Sequence, residues 1–282
     1  MVARVISGRE VAEKILSNDL RSRVEKLKDK NIVPKLVVIL VGEVKASASY
    51  VAQKEKFAGK AGIESEVRRF EDSISEQEIL SEVNQINSDS SIHGVIVQLP
   101  LPKHISVTKV LNSIDPSKDV DGFTPSNVGK LFLGEDTLVS CTPKGIMSIL
   151  QSADIDLTGK NVTVIGRSNI VGKPVSILCQ QQNATVTMCH SKTRDLNAKL
   201  ADADVIIVAA GVPKFINGDQ IPDGAVVVDV GIHNIDGKLC GDVDFESASK
   251  KASAITPVPG GVGPMTVCAL IENTILAAER TL

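Results

Sequence analysis

The sequence contains no tryptophan and a single tyrosine, with six phenylalanines among 282 residues. Its core must therefore be aliphatic, and Tyr50 is not one of many aromatic fillers. Cysteine is also scarce. Cys141, Cys179, Cys189, Cys240 and Cys268 make an odd count without a C-x-x-C pair. That speaks against a disulfide framework or zinc site and favours a reducing, cytoplasmic setting. Each cysteine reads first as a small buried apolar residue. His93, His104, His190 and His233 show no ligand spacing, so no metal is expected. No apolar run reaches the roughly 18 residues of a membrane helix, and residues 1–6 do not read as a signal peptide. No membrane association is expected. A formal net charge of −3 lacks the basic excess of a protein built to bind nucleic acid.

What is present is apolar mass and regular alternation of patterns. At 43% hydrophobic, the chain has enough for a sizeable core and two domains. Val11 to Asn31 has helical periodicity. Lys35 to Gly42 is apolar on both faces and reads as a buried parallel strand. A helix over 47–62, a strand over 64–70, a helix opened by Ser75 with Glu78 in a capping box, and a buried strand over 93–100 follow. Strand–helix alternation resumes from Lys160 to Val230, and the chain closes with a helix over about 266–281. The fold class is α/β. Turn formers and acids between Asp115 and Pro125 mark a boundary, giving an N-terminal α/β domain with a parallel sheet over residues 1–121. A C-terminal Rossmann-like domain occupies 122–282, and its last helix is expected to pack back on the first domain.

Two constellations carry chemistry. Tyr50 and Lys54 lie one helical turn apart on a common face. From Lys160 to Pro174 a strand turns into a helix through Gly166 and Gly172, the context of a dinucleotide fingerprint. Gly166 permits a tight turn, Gly172 close helix packing, and the helix N-terminus offers free N–H groups to a pyrophosphate. The pattern departs from G-x-G-x-x-G, since Ser168 replaces the middle glycine, and an ordinary strand-to-helix turn is the bland alternative. The next strand ends in His190-Ser191-Lys192 without the acid that usually holds NAD ribose, and Arg167 lies in the turn. Cations without a carboxylate favour a 2′-phosphate, hence NADP. Tyr-x-x-x-Lys also marks short-chain dehydrogenases, but there the glycine fingerprint precedes the pair, and here it follows.

The motifs in order resemble the bifunctional methylenetetrahydrofolate dehydrogenase/methenyltetrahydrofolate cyclohydrolases over nearly the whole chain. The matching segments are Val41 to Lys54, Gly94 to Pro102, Lys118 to Phe123, Cys141 to Gly145, Gly166 to Pro174, Asp229 to Ile232 and Pro257 to Thr266. The resemblance implies a folate/nicotinamide cleft between the domains and two successive reactions in one-carbon metabolism. These are NADP-dependent oxidation of 5,10-methylenetetrahydrofolate and hydrolysis of the methenyl product to 10-formyltetrahydrofolate, which purine biosynthesis consumes. It implies catalytic roles for Lys54, Tyr50, Gln98 and Asp121. It carries over folate contacts to Tyr50, Val51, Ala52, Gln53, Lys54, Gln98, Leu99, Pro100 and Asp121, and to Pro257, Gly260, Gly261, Gly263 and Pro264. NADP contacts fall on Gly166, Arg167, Ser168, Ser191 and Ile232. A homodimer is implied as well, with an exposed sheet edge of the second domain as the expected interface. Without the motif, Lys54 would read as a solvated helix lysine, Tyr50 as half-buried packing and Asp121 as a turn residue. His233 stands where asparagine is common in the family. A monofunctional dehydrogenase is the nearer rival, against which Lys54 and Gln98 both speak. A non-catalytic folate- or nucleotide-binding protein is the remote one. Formyltetrahydrofolate synthetase activity is not expected, because these 282 residues hold no G-x-x-x-x-G-K-[ST] loop and leave no room for that extra domain.

Overall fold

The computed structural model describes residues 2–42 and 45–282, with the backbone alone for residues 45–51. The chain forms two compact units. One comprises Met1–Ala12 with Thr142–Thr266, the other Glu13–Cys141 with Val267–Leu282. The change of unit thus falls at Cys141/Thr142 rather than at residue 121, and the first twelve residues belong with the later part of the chain. The physical reason is strand pairing. β1 (Arg4–Val5) pairs in parallel with a strand some 250 residues later, Ala254–Ile255.

In the unit containing Glu13–Cys141, β2 (Lys35–Val41) lies between β3 (Glu64–Phe70) and β4 (Gly94–Val97), all parallel. Leu36 to Val41 are all buried, as a central strand covered on both faces requires. Val37, Ile39, Val83, Ile86, Val95 and Val110 meet in one aliphatic core. The intervening helix Glu76–Ser88 begins in a full capping box. The Ser75 hydroxyl accepts from the Glu78 N–H, and the Glu78 carboxylate accepts from the Ser75 N–H. The helical periodicity over 11–31 corresponds to an unbroken helical run from Gly8 to Lys28, α-helical at Gly8–Lys14 and Arg21–Lys28 with a π-helical stretch Ile15–Leu20 between them. A one-residue widening leaves the apolar spacing almost unchanged, so the pattern does not reveal it.

The other unit holds a six-stranded parallel sheet. Its strands after β1 are β5 (Asn161–Ile165), β6 (Thr185–Cys189), β7 (Val205–Val208), β8 (Val226–Asp229) and, after a hairpin of β9 (His233–Ile235) and β10 (Lys238–Cys240), β11 (Ala254–Ile255). Their order is β1-β11-β8-β7-β5-β6. The chain moves one way from β5 to β6 and the other way from β5 to β7, so the strand order reverses beside β5. A parallel α/β sheet opens a crevice at the carboxyl ends of strands at such a point. The long helix Val262–Glu279 starts a turn earlier than its sequence pattern suggests, because Pro264 is tolerated within a first helical turn.

Replacing Ser75 by alanine removes the capping box and is expected to destabilise the protein by about 1 kcal/mol in denaturant unfolding. A change within error of zero would show that the cap does not hold this helix.

Candidate active site

Lys54 projects from the third turn of the helix Lys45–Ala61 and is only partly exposed. Its Nζ donates to Gln98 Oε1 at 2.9 Å. Gln98 follows β4 and is fixed twice, its N–H donating to the Ile39 carbonyl at 2.9 Å and its Nε2 to the Leu99 carbonyl at 3.0 Å. The Lys54 amine is held below the ordinary lysine range, first by desolvation, while the negative charge of Asp121 acts in the opposite direction. Asp121 is pushed up to about 6, mainly by burial and further by Asp119. Lys54 and a hydrogen bond from the Cys141 thiol pull it back. Lys54, Gln98 and Asp121 therefore form one group, all within the unit that contains Glu13–Cys141.

The turn that carries Asp121 is tightly built. Asp119, almost fully buried, accepts from the N–H groups of Phe123 at 3.2 Å and Thr124 at 2.7 Å and from Asn127 Nδ2 at 2.9 Å. Gly122 has φ +69°, and a Cβ there would lie 2.6 Å from the Ser140 nitrogen and 2.7 Å from the Leu138 carbonyl oxygen. Only glycine serves that conformation and that approach. Cys141 and Asp119 are members of this site that sequence reading passed over. Their signal was their presence in Asp119-Val-Asp121 and Ser140-Cys141-Thr142.

Of the other folate-side candidates, Ala52 is exposed, while Gln53, Leu99 and Pro257 keep partial exposure and Pro100 is exposed. The side chains of Tyr50 and Val51 lie outside the described residues. Pro257, Gly260, Gly261, Gly263 and Pro264 belong to the other unit. There the Gly260 carbonyl accepts from the Arg9 N–H at 2.9 Å, and a Cβ on Gly8 would lie 2.0 Å from the Gly261 carbonyl oxygen.

Gly166, Arg167 and Ser168 follow β5, Ser191 follows β6, and Ile232 stands just before β9. Arg167, Ser168, Ser191 and Ile232 are all exposed. Gly166 has φ +133°, and a Cβ there would lie 2.3 Å from the Ala209 carbonyl oxygen at the end of β7. A Cβ on Gly172 would lie 2.2 Å from the Gly166 carbonyl oxygen. This is a cradle no larger side chain would leave intact. The helix N-terminus is not as free as expected. The Ser168 hydroxyl accepts from the N–H groups of Val171 at 3.1 Å and Gly172 at 3.3 Å, a local cap that satisfies orphan donors in the unliganded chain. The donors, the exposed guanidinium and the absence of a carboxylate at the end of β6 fit a phosphorylated nucleotide. Beside this region, buried Asp229 accepts from the N–H groups of Gly231, Asp242 and Val243. Asp242 in turn meets His233 Nε2 at 2.7 Å and accepts from the Gly211 N–H at 2.8 Å.

Two family descriptions match this chain. "Tetrahydrofolate dehydrogenase/cyclohydrolase, catalytic domain" covers residues 6–121, and "Tetrahydrofolate dehydrogenase/cyclohydrolase, NAD(P)-binding domain" covers residues 140–282. The chain belongs to the tetrahydrofolate dehydrogenase/cyclohydrolase family. It is 53% identical to the bifunctional protein FolD of Bacillus licheniformis, over 100% of this chain and 99% of that one. The crystal structure of the bifunctional FolD dehydrogenase/cyclohydrolase from Campylobacter jejuni superposes with a TM-score of 0.97 at 46% identity, covering 99% of this chain and 100% of that one. The Trypanosoma brucei dehydrogenase–cyclohydrolase, solved with NADP cofactor and inhibitor, gives 0.94 at 37% identity, covering 100% and 99%. Among the described residues no group of side chains has metal-ligand geometry, and no helix is long and apolar enough to cross a membrane.

Asp229 also generates a pH prediction. Burial pushes its carboxyl up to about 6, against about 4 when unfolded. The folded state therefore binds this proton more tightly, so its contribution is greatest below pH 4 and is lost as pH rises towards 6. The stability advantage of wild type over Asp229→Asn should shrink by roughly 2–3 kcal/mol between pH 4 and 7. A gap that is flat or widens with pH would contradict this.

Proposed function

We infer that Lys54, Gln98 and Asp121 carry the second half of a two-step conversion, and that the single observation behind this reading is the desolvated Lys54 amine held on Gln98. The protein is an NADP-dependent methylenetetrahydrofolate dehydrogenase and methenyltetrahydrofolate cyclohydrolase. When bound, NADP supplies the hydride acceptor. Gly166, Arg167, Ser168, Ser191 and Ile232 are the proposed residues that hold it, with Arg167 and Ser191 suited to a 2′-phosphate. For the oxidation the chain has no proton to move, because a substrate nitrogen lone pair drives hydride departure. Orientation is its task.

The methenyl product is a cation, and water must lose a proton as it adds. Neutral Lys54 accepts that proton in our reading. Desolvation keeps the amine available as a base, and Gln98 fixes its direction. A cationic product nearby disfavours the ammonium form further. Asp121 accepts hydrogen bonds from the pterin amino group and ring N–H, and its negative charge limits how far the Lys54 amine falls. Tyr50 is proposed to pack on the folate. Val51, Ala52, Gln53, Leu99, Pro100, Pro257, Gly260, Gly261, Gly263 and Pro264 are proposed folate contacts. The unit containing Glu13–Cys141 is proposed as the main folate-binding portion, and the unit containing Thr142–Thr266 as the nucleotide-binding portion. A cytoplasmic homodimer that provides one-carbon units for purine biosynthesis is also proposed. β6 supports the dimer reading, since among the described residues it ends the sheet order and exposes most of its side chains.

The test follows reduced nicotinamide and methenyl absorbance separately, starting from methylenetetrahydrofolate and NADP⁺. Wild type should reduce NADP⁺ without methenyl build-up, and Lys54→Met should accumulate methenyl with reduction intact. Cyclohydrolase activity persisting in Lys54→Met would remove the lysine from the mechanism. Because Asp121 raises the Lys54 amine, Asp121→Asn should move the acid limb of the cyclohydrolase pH profile to lower pH. A limb unmoved or moved upward would break the proposed coupling.

A further inference from the structure

Asn273 is a polar residue with no exposed surface on the helix Val262–Glu279, set with Glu272 and Thr274 between the apolar stretches Ala269–Ile271 and Ile275–Ala278. Its Nδ2 donates to the Val120 carbonyl and to the Val139 carbonyl, both at 2.8 Å. The same nitrogen lies 3.8 Å from Cys141 Sγ, and that thiol donates to the Val120 carbonyl at 3.2 Å. One amide group thus ties two chain segments, 120–122 and 138–141, that are remote in sequence. Asp121 follows the first tied carbonyl directly, and Cys141, which hydrogen-bonds Asp121, comes two residues after the second. Gly122 makes the approach of the segments sterically possible. It does not hold them together, because glycine adds conformational freedom and supplies no side-chain bond.

The neighbouring supports act elsewhere. Asp119 gathers the N–H groups of Phe123 and Thr124 and the Asn127 amide, on the far side of the turn, and Thr137 donates to Asn127 Oδ1 at 2.8 Å. Residue 118 pairs with the edge of β4 through the Val95 N–H. Among the bonds described above, only those from Asn273 join the Val120 carbonyl to the Val139 carbonyl. An amide suits this position because it presents two N–H donors at a fixed angle, matching the two carbonyls it joins.

We propose that Asn273 is a positioning residue for Asp121, acting as a two-carbonyl clamp that sets where the carboxylate meets the folate and Lys54. The proposal rests on the reading of Asp121 as a folate contact. Asp121 is only partly exposed, and losing the clamp lets the 120–122 segment relax and more water reach the carboxylate. The Asp121 midpoint should then fall from about 6 towards the ordinary carboxylate range, since burial is its largest cause. Misplacement of a substrate-binding group by an ångström or so costs about 10- to 100-fold.

The experiment compares purified full-length wild type, Asn273→Ala, Asp121→Asn and Val83→Ala. Val83 lies in the core of the same unit, away from the clamp, and its variant controls for general loss of stability. Asp121 is titrated by carboxyl-carbon NMR without ligands, and KM values are measured for methylenetetrahydrofolate and NADP⁺. Asn273→Ala should lower the Asp121 midpoint and raise KM for the folate about 10- to 100-fold, with KM for NADP⁺ changed less than about twofold. Val83→Ala should lower the melting temperature and leave the midpoint in place. If Asn273→Ala does not fold, Asn273→Ser keeps one donor and should shift both quantities in the same direction by less. An unmoved midpoint and folate KM in a folded Asn273 variant, while Asp121→Asn raises that KM, would overturn the clamp. A moved midpoint with folate KM unchanged in both Asn273→Ala and Asp121→Asn would uphold the clamp and instead remove Asp121 from folate binding.

Discussion

The chemistry of this protein depends on keeping one lysine amine partly out of water without leaving it unpartnered. A lysine on a solvated helix face holds its proton far too tightly to act as a base near neutrality. Here Lys54 is drawn into a half-buried position and given a neutral acceptor, Gln98 Oε1, in place of a carboxylate in direct contact. A salt bridge would have pushed the amine up. The acid influencing it, Asp121, is itself raised by burial, so the two groups moderate each other's charge. Desolvation is the largest cause for both, which makes the packing around them, and not the pairing alone, the determinant of protonation.

That packing is set by residues that need not touch a substrate. The buried carboxylate of Asp119 closes one side of the Asp121 turn, and the Asn273 amide closes the other. Buried polar groups of this kind are costly unless every partner is present, and when satisfied they specify one conformation. The nucleotide side follows a different principle. There glycines at 166 and 172 allow backbone to approach backbone more closely than any Cβ permits, and exposed polar side chains supply the recognition.

Much of this was legible in the sequence for reasons that can be named. The apolar run at 36–41 marked β2 because a central parallel strand has no solvent face, and Ser75 with Glu78 marked a helix start because the cap is local chemistry. The Tyr50–Lys54 spacing pointed to Lys54, but Gln98 and Asp121, and the role of all three together, could be named only through motif resemblance. Nothing in their spacing states that a helix, a strand end and a turn converge. The hairpin β9–β10 was passed over although Asp236-Gly237, both at positive φ, is the signal of a tight two-residue turn. Val262 to Pro264 read as loop because glycine and proline outweigh helix preference in a local pattern, and tertiary burial reversed that. Asn273 was invisible for the opposite reason. Its partners lie some 130 to 150 residues away, and an asparagine in a largely apolar helix does not name its acceptors.

The most direct test of the account is the midpoint of the Lys54 amine in the ligand-free protein, read by NMR with labelled lysine and assigned through Lys54→Met. The account predicts a midpoint separated from the other lysines and below the ordinary lysine value. A Lys54 signal titrating together with the exposed lysines would show that the amine is fully solvated, and the proposed base would be lost.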